Sequence, residues 1–189
     1  MKRLSFTVSL IGFSGCGKST LGKSLAKSTG VRFFDTDALI ESRAGVPIDK
    51  LLKRGNEKGF RALEYRVIAE VYSTHTGPKV VALGGGAFGR SANRKIVGAA
   101  GPVVYLSCSV RELYRRLSGS YDRPMLRVQP REGESLREAR LSRISDLLNE
   151  RKVVYESADY RISVTDRPVQ ENVIRLLKLL ERIDADRAR

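Results

Sequence analysis

Gly12-Phe13-Ser14-Gly15-Cys16-Gly17-Lys18-Ser19 sets three glycines, a lysine and a hydroxyl in the pattern G-x-x-x-x-G-K-[ST]. Glycines let consecutive backbone N–H groups turn inward around phosphate oxygens, and a helix opening at once behind them adds its positive end. In such a loop Lys18 neutralises charge on the β and γ phosphates and Ser19 offers its hydroxyl to Mg²⁺. The stretch reads as a cradle for a nucleoside triphosphate, with Gly12, Ser14, Gly15, Cys16, Gly17, Lys18, Ser19 and Thr20 as its contact residues. Cys16 occupies a variable position of the pattern and reads as a small filler.

A second constellation follows at Asp35-Thr36-Asp37. If a strand ends there, both carboxylates stand near the carboxyl edge of a sheet, where ligands of open α/β sheets bind. One could hold metal-bound water and the other accept a hydroxyl proton, although Asp at this point also suits a helix N-cap. His75 is the one histidine, expected at a solvated helix end, and Cys16 and Cys108 form no C-x-x-C pair. A protein-bound transition metal or a disulfide framework is therefore not expected.

These groups need elements to carry them, and the pattern supplies strands and helices in alternation, the signature of an α/β domain with a mainly parallel sheet. Ser5–Ile11 alternates as a strand, and Lys18–Ser28 places Leu21, Leu25 and Ala26 at helical spacing before Gly30. A strand is expected at Val31–Phe34, helices at Asp37–Ala44, Ile48–Lys53 and Glu57–Tyr72, and buried strands at Lys79–Leu83 and Pro102–Leu106. Gly84-Gly85-Gly86 makes a backbone-tight loop after the first of these. Ser109 with Glu112 and Ser135 with Glu138 read as capping boxes, the second opening a helix Leu136–Glu150. Between them, Ser118–Glu134 is polar, interrupted by Gly and Pro and without period, as a lid would be. A strand at Tyr160–Val164 and a helix from Pro168 to Ile183 close the pattern.

With 189 residues, 41% hydrophobic and 30% charged, the chain suits one domain, and no apolar run approaches a membrane span. Met1–Leu10 reads as a strand rather than a signal peptide, and a cytoplasmic setting is expected. The net charge of +14 attracts anions. Lysine and arginine are spread along the chain, so a nucleic-acid partner is not expected, although six arginines fall between Arg111 and Arg131.

Asp35-x-Asp37, Phe60-Arg61-x-x-Glu64, Gly84-Gly85-Gly86, Arg123-Pro124-Met125-Leu126 and Arg151-x-x-x-Tyr155 follow the phosphate loop in the order and spacing of shikimate kinases, and the chain resembles that family from first strand to last helix. The resemblance implies a three-layer α/β/α P-loop kinase with a five-stranded parallel sheet, and transfer of the ATP γ-phosphoryl group to the 3-hydroxyl of shikimate. It implies Mg²⁺ held by Ser19 and, through water, by Asp35, with Lys18, Asp37 and Arg123 as the catalytic set. Arg61 and Arg151 would clamp the substrate carboxylate, which guanidinium forks do bidentately, with Glu64 and Phe60 behind Arg61. Asp37 and the backbone of Gly84, Gly85 and Gly86 would meet the acceptor, while Arg116 and Arg167-Pro168 would sandwich adenine. The stretch from Arg151 to Tyr155 lacks the proline usual in the family, and Asn56 stands where a glycine is usual. A monomer acting on ATP and shikimate is implied. The alternatives are a kinase of another small polyol or sugar acid such as gluconate, or a nucleotide-dependent regulatory or nucleic-acid-binding protein.

Overall fold

The computed structural model describes residues 4–53, 56–118 and 127–187. Five strands, β1 (Val8–Ile11), β2 (Arg32–Asp35), β3 (Lys79–Ala82), β4 (Val103–Ser107) and β5 (Tyr160–Ser163), form one sheet in the order β2-β3-β1-β4-β5. Every pairing is parallel, and Leu10 of β1 lies between Ala82 of β3 and Val104 of β4. Val8, Leu10, Val80, Val81, Val104 and Leu106 are all fully buried, as parallel strands covered on both faces must be. The chain leaves β1 toward β2 on one side and β4 toward β5 on the other. Connections that diverge from adjacent strands open a crevice at their carboxyl ends.

The helices are α1 (Lys18–Thr29), α2 (Thr36–Ala44), α3 (Ile48–Lys53), α4 (Glu57–Ser73), α5 (Ser91–Ala100), α6 (Val110–Leu117), α7 (Leu136–Glu156) and α8 (Val169–Arg187). α1 lies along β3 and β2 and packs on α8, α4 packs between α2 and α5, and α6 packs on α7. Local chemistry sets several ends. Gly30 takes the left-handed conformation that closes α1, and the Asn56 side chain accepts the Gly59 N–H at 2.9 Å to open α4. The expected box at Ser135 and Glu138 is complete, each side chain accepting the other's backbone N–H.

The structure departs from the sequence expectations at four points, the last being His75, expected at a solvated helix end. At Ser109 only half a box forms: its hydroxyl accepts from the Glu112 N–H, but the Ser109 N–H goes to Thr165 and the Glu112 carboxylate to two arginines. A charge-assisted pair with arginine outcompetes a neutral backbone N–H. α5 was not legible, because Ile96 and Val97 are its only large apolar residues. α7 runs on past residue 150 to Glu156, carrying Arg151 and Tyr155 on one helix. His75, just beyond α4, is half-buried against the Phe34 ring at 4.5 Å, and its carbonyl and that of Val71 accept the buried Lys79 ammonium. Burial pushes the Lys79 amine below its ordinary pKa.

Candidate active site

The phosphate loop joins β1 to α1 over the crevice. Gly12 has φ +144°, and a Cβ there would stand 2.6 Å from the Leu106 carbonyl oxygen, so the turn needs glycine for conformation and for space. Cys16 is fully buried, as a filler should be. The Lys18 ammonium donates to the Gly12 and Phe13 carbonyls at 2.9 and 3.0 Å, which holds it over the loop. Ser19 Oγ donates to Asp35 Oδ2 at 2.5 Å, while Asp35 Oδ1 accepts the N–H groups of Asp37 and Ala38 at 3.1 and 3.2 Å. Asp35 thus caps α2 with one oxygen, as one reading expects, and faces the loop hydroxyl with the other. A hydroxyl and a carboxylate beside a phosphate cradle are the hard oxygen donors that suit Mg²⁺, which keeps several waters and binds few protein groups. Among the described residues no group of three or more His, Cys, Asp or Glu could hold a metal on its own.

The residues expected to meet the acceptor come from separate elements, α2, α4 and α7, and converge at the glycine turn after β3. A Cβ at Gly84 would stand 2.4 Å from Asp37 Oδ1, so any side chain there would displace that carboxylate. The Gly84 N–H donates to the buried Thr36 hydroxyl at 2.9 Å, locking the turn to the start of α2. At Gly85 the corresponding position is 3.4 Å from the Ser14 nitrogen and 3.5 Å from Arg151 Nη1, and at Gly86 it is 3.4 Å from Arg61 Nη1. Thus Asp37, Arg151, Arg61 and the phosphate loop converge on three consecutive residues without side chains.

Each guanidinium is held. Arg61 Nη1 donates to both oxygens of Glu64 at 3.1 and 3.2 Å, and its carbon lies 5.1 Å from the centre of the buried Phe60 ring. Glu64 is 1% exposed, and burial raises its pKa while Arg61 pulls it back down. Arg151 donates to the Gly85 carbonyl at 3.4 Å and lies 5.5 Å from the centre of the Phe13 ring. The cleft between these groups measures about 610 Å³, and Glu41, Pro47, Ile48, Asp49 and Leu52 of the α2–α3 segment form a wall of it. That wall, Thr36 and Phe13 were not anticipated. Nothing in their residue types marks them; the wall lines the cleft because α2 and α3 fold over the carboxyl edge of the sheet, while Thr36 and Phe13 are buried behind it.

The expected adenine residues lie outside that cleft. Arg116 is anchored by the Cys16 carbonyl at 2.9 Å, the Val164 carbonyl at 2.9 Å and Glu112 at 2.6 Å. Arg167 pairs with Glu171, and Pro168 directly precedes α8, its carbonyl accepting the Asn172 N–H at 3.2 Å. Arg123, with Pro124, Met125 and Leu126, lies outside the described residues, and 127–135 form no helix or strand.

A five-stranded parallel sheet with a glycine-lysine phosphate loop at its edge, facing a carboxylate and two arginines, defines a P-loop phosphotransferase for a small anionic acceptor. The family model "Shikimate kinase" matches residues 14–182. The shikimate kinase of Nitrosococcus oceani is 39% identical over 178 residues, covering 94% of this chain and 88% of the relative. That of Chlorobium chlorochromatii is 36% identical, covering 96% and 94%. Among solved structures, shikimate kinase from Acinetobacter baumannii in complex with shikimate superposes with a TM-score of 0.83 at 31% identity, covering 94% of each chain. The chain belongs to the shikimate kinase family.

Proposed function

We propose that the chain transfers the γ-phosphoryl group of ATP to the 3-hydroxyl of shikimate, giving ADP and shikimate 3-phosphate. One observation carries this reading: Asp37, Arg61 and Arg151 converge on Gly84–Gly86, where Gly85 also abuts the Ser14 nitrogen of the phosphate loop. A carboxylate-bearing polyol clamped by the two arginines would present a hydroxyl to Asp37 beside the triphosphate. The hydroxyl oxygen attacks the γ phosphorus, the bond to the β–γ bridging oxygen breaks, and the hydroxyl proton passes to Asp37 or to water.

Positioning and charge do the work in phosphoryl transfer. Lys18 and the loop N–H groups offset charge on the β and γ phosphates, and the loop's anchorage to β1 fixes the donor. Ser19 and, through water, Asp35 would hold Mg²⁺, which neutralises the phosphate oxygens when bound. Asp37 orients the acceptor hydroxyl. Arg123 completes the cation set from a lid at 118–134 by its match to the family motif, while Arg116 and Pro168 offer flat faces for adenine. A cytoplasmic monomer completes the reading; the two buried cysteines are free. Among the described residues no helix is long and apolar enough to cross a membrane.

The experiment is a coupled ADP-release assay with MgATP and shikimate, quinate or gluconate, run beside Asp37→Asn. Turnover confined to shikimate and lost in the variant is the expected result. Brisk turnover of gluconate, or none of shikimate, would sink the assignment.

A further inference from the structure

Glu112 stands in the first turn of α6, outside the cleft, and carries a buried carboxylate with only 5% of its side chain exposed. Its two oxygens take Arg115 Nη2 and Nε, both at 2.7 Å, and Arg116 Nε at 2.6 Å. Arg115 is largely exposed, and Arg116 is not. The other two nitrogens of Arg116 donate to the carbonyls of Cys16, in the phosphate loop, and Val164, just after β5. All three nitrogens are thus engaged, by three different parts of the chain. The next residue, Leu117, fills the space beside Gly15, where a Cβ would lie 2.8 Å from a leucine methyl. Two consecutive residues of α6 therefore brace two consecutive residues of the loop.

We propose that Glu112 is a positioning residue of the nucleotide site, acting through Arg116. In a planar trans peptide the carbonyl and the following N–H point in opposite directions. Arg116 draws the Cys16 carbonyl outward, which turns the Gly17 N–H inward, toward the place of the phosphates. Glu112 fixes the guanidinium that does this, since a carboxylate accepting the Nε–H aligns the whole plane. The same alignment sets the face that Arg116 presents beside the chain end of β5. The proposal rests on the kinase reading, because it takes the loop as the phosphate cradle.

The test measures ADP affinity by calorimetry, shikimate affinity separately, and the KM for ATP in Glu112→Ala, Glu112→Gln and Ser109→Ala. Ser109→Ala removes the N-cap of the same helix without touching Arg116, and so reports what loss of helix stability does alone. Glu112→Ala is expected to weaken ADP binding at least about tenfold with shikimate affinity within about twofold. Glu112→Gln, which keeps one acceptor for Arg116, should recover part of the loss, and Ser109→Ala should bind ADP normally. The proposal is overturned if Glu112→Ala binds ADP as the parent does, if Ser109→Ala loses as much, or if both ligands weaken together. Should Glu112→Ala not fold, Glu112→Gln against Ser109→Ala decides on the same readout. A parent protein that binds ADP but leaves shikimate unphosphorylated would overturn the substrate reading alone, and the ADP comparison would still decide the role of Glu112.

Discussion

The Tyr155 hydroxyl donates to the Gly85 carbonyl at 2.5 Å, tying α7 to the glycine turn on which Asp37, Arg61 and Arg151 converge. Tyr155 is 2% exposed and stacks on Tyr105 with centroids 5.1 Å apart. Burial pushes its phenol up to about 12, so it remains a donor throughout the neutral range. Tyr155→Phe leaves the Gly85 carbonyl with only the longer bond from Arg151. The expected cost is about 1 kcal/mol of stability, with a rise of roughly five- to tenfold in the KM for shikimate and an unchanged KM for ATP. Steady-state kinetics with each substrate varied checks it; an unmoved shikimate KM would show the turn needs no such strut.

Arg61 and Glu64 should separate affinity from stability. Arg61→Ala removes the expected carboxylate clamp and strands Glu64, which is buried. The loss should be roughly 3 kcal/mol at pH 7 and smaller at pH 5, because burial makes the stranded carboxyl easier to protonate as pH falls. The sign follows from burial, which raises the folded-state pKa of Glu64 above its ordinary 4.5, so that the native protein favours the protonated form as pH falls. Adding Glu64→Gln to Arg61→Ala should restore most of the stability and none of the shikimate affinity. Denaturant melts at the two pH values, with shikimate titrations, distinguish the effects. Recovery of affinity in the double variant would remove Arg61 from the clamp.

Glu112 has the opposite sign. Its arginines hold the carboxyl well below the usual range, at about 2, against 4.5 for the ordinary group. A depressed folded-state pKa means stability present above pH 4.5 and lost as pH falls toward 2. Because Arg115 is exposed, the amount is about 1–2 kcal/mol rather than the full value of the shift. Glu112→Gln should be less stable than the parent at pH 7, the gap closing as acid is added. Parallel acid titrations would contradict this.

Lys18→Ala should lower kcat at least about a hundredfold, since the γ phosphoryl group loses its nearest fixed cation. Among the described residues Lys18 bonds to loop carbonyls alone, so the melting temperature should move little and shikimate should still bind. Near-normal turnover would remove the phosphate-loop assignment.

The phosphate loop was legible because its parts are local. Glycines, lysine and hydroxyl act within eight consecutive residues, and the flanking strand and helix follow from short-range periodicity. The cap at Ser135 and the Asp35 turn were legible for the same reason. α5 was not, because its apolar face is too thin to show a period. The half-box at Ser109 was misread because Glu112 finds arginines at Arg115 and Arg116 that outbid the backbone.

The sequence by itself determined the phosphate chemistry, the alternation of strands and helices, and the family motifs from which an acceptor site is expected. Only the tertiary structure decided how that site is assembled. Asp37, Arg61, Gly85 and Arg151 meet because the strand order places β3 between β2 and β1, and because α4 and α7 pack against the glycine turn's surroundings. Hydrogen bonds such as Tyr155 to Gly85 and Arg116 to Cys16 join residues 70 and 100 positions apart. Residue type and spacing describe what a group can bond, whereas its partner is chosen by parallel crossovers and burial, which leave each polar group few places to go.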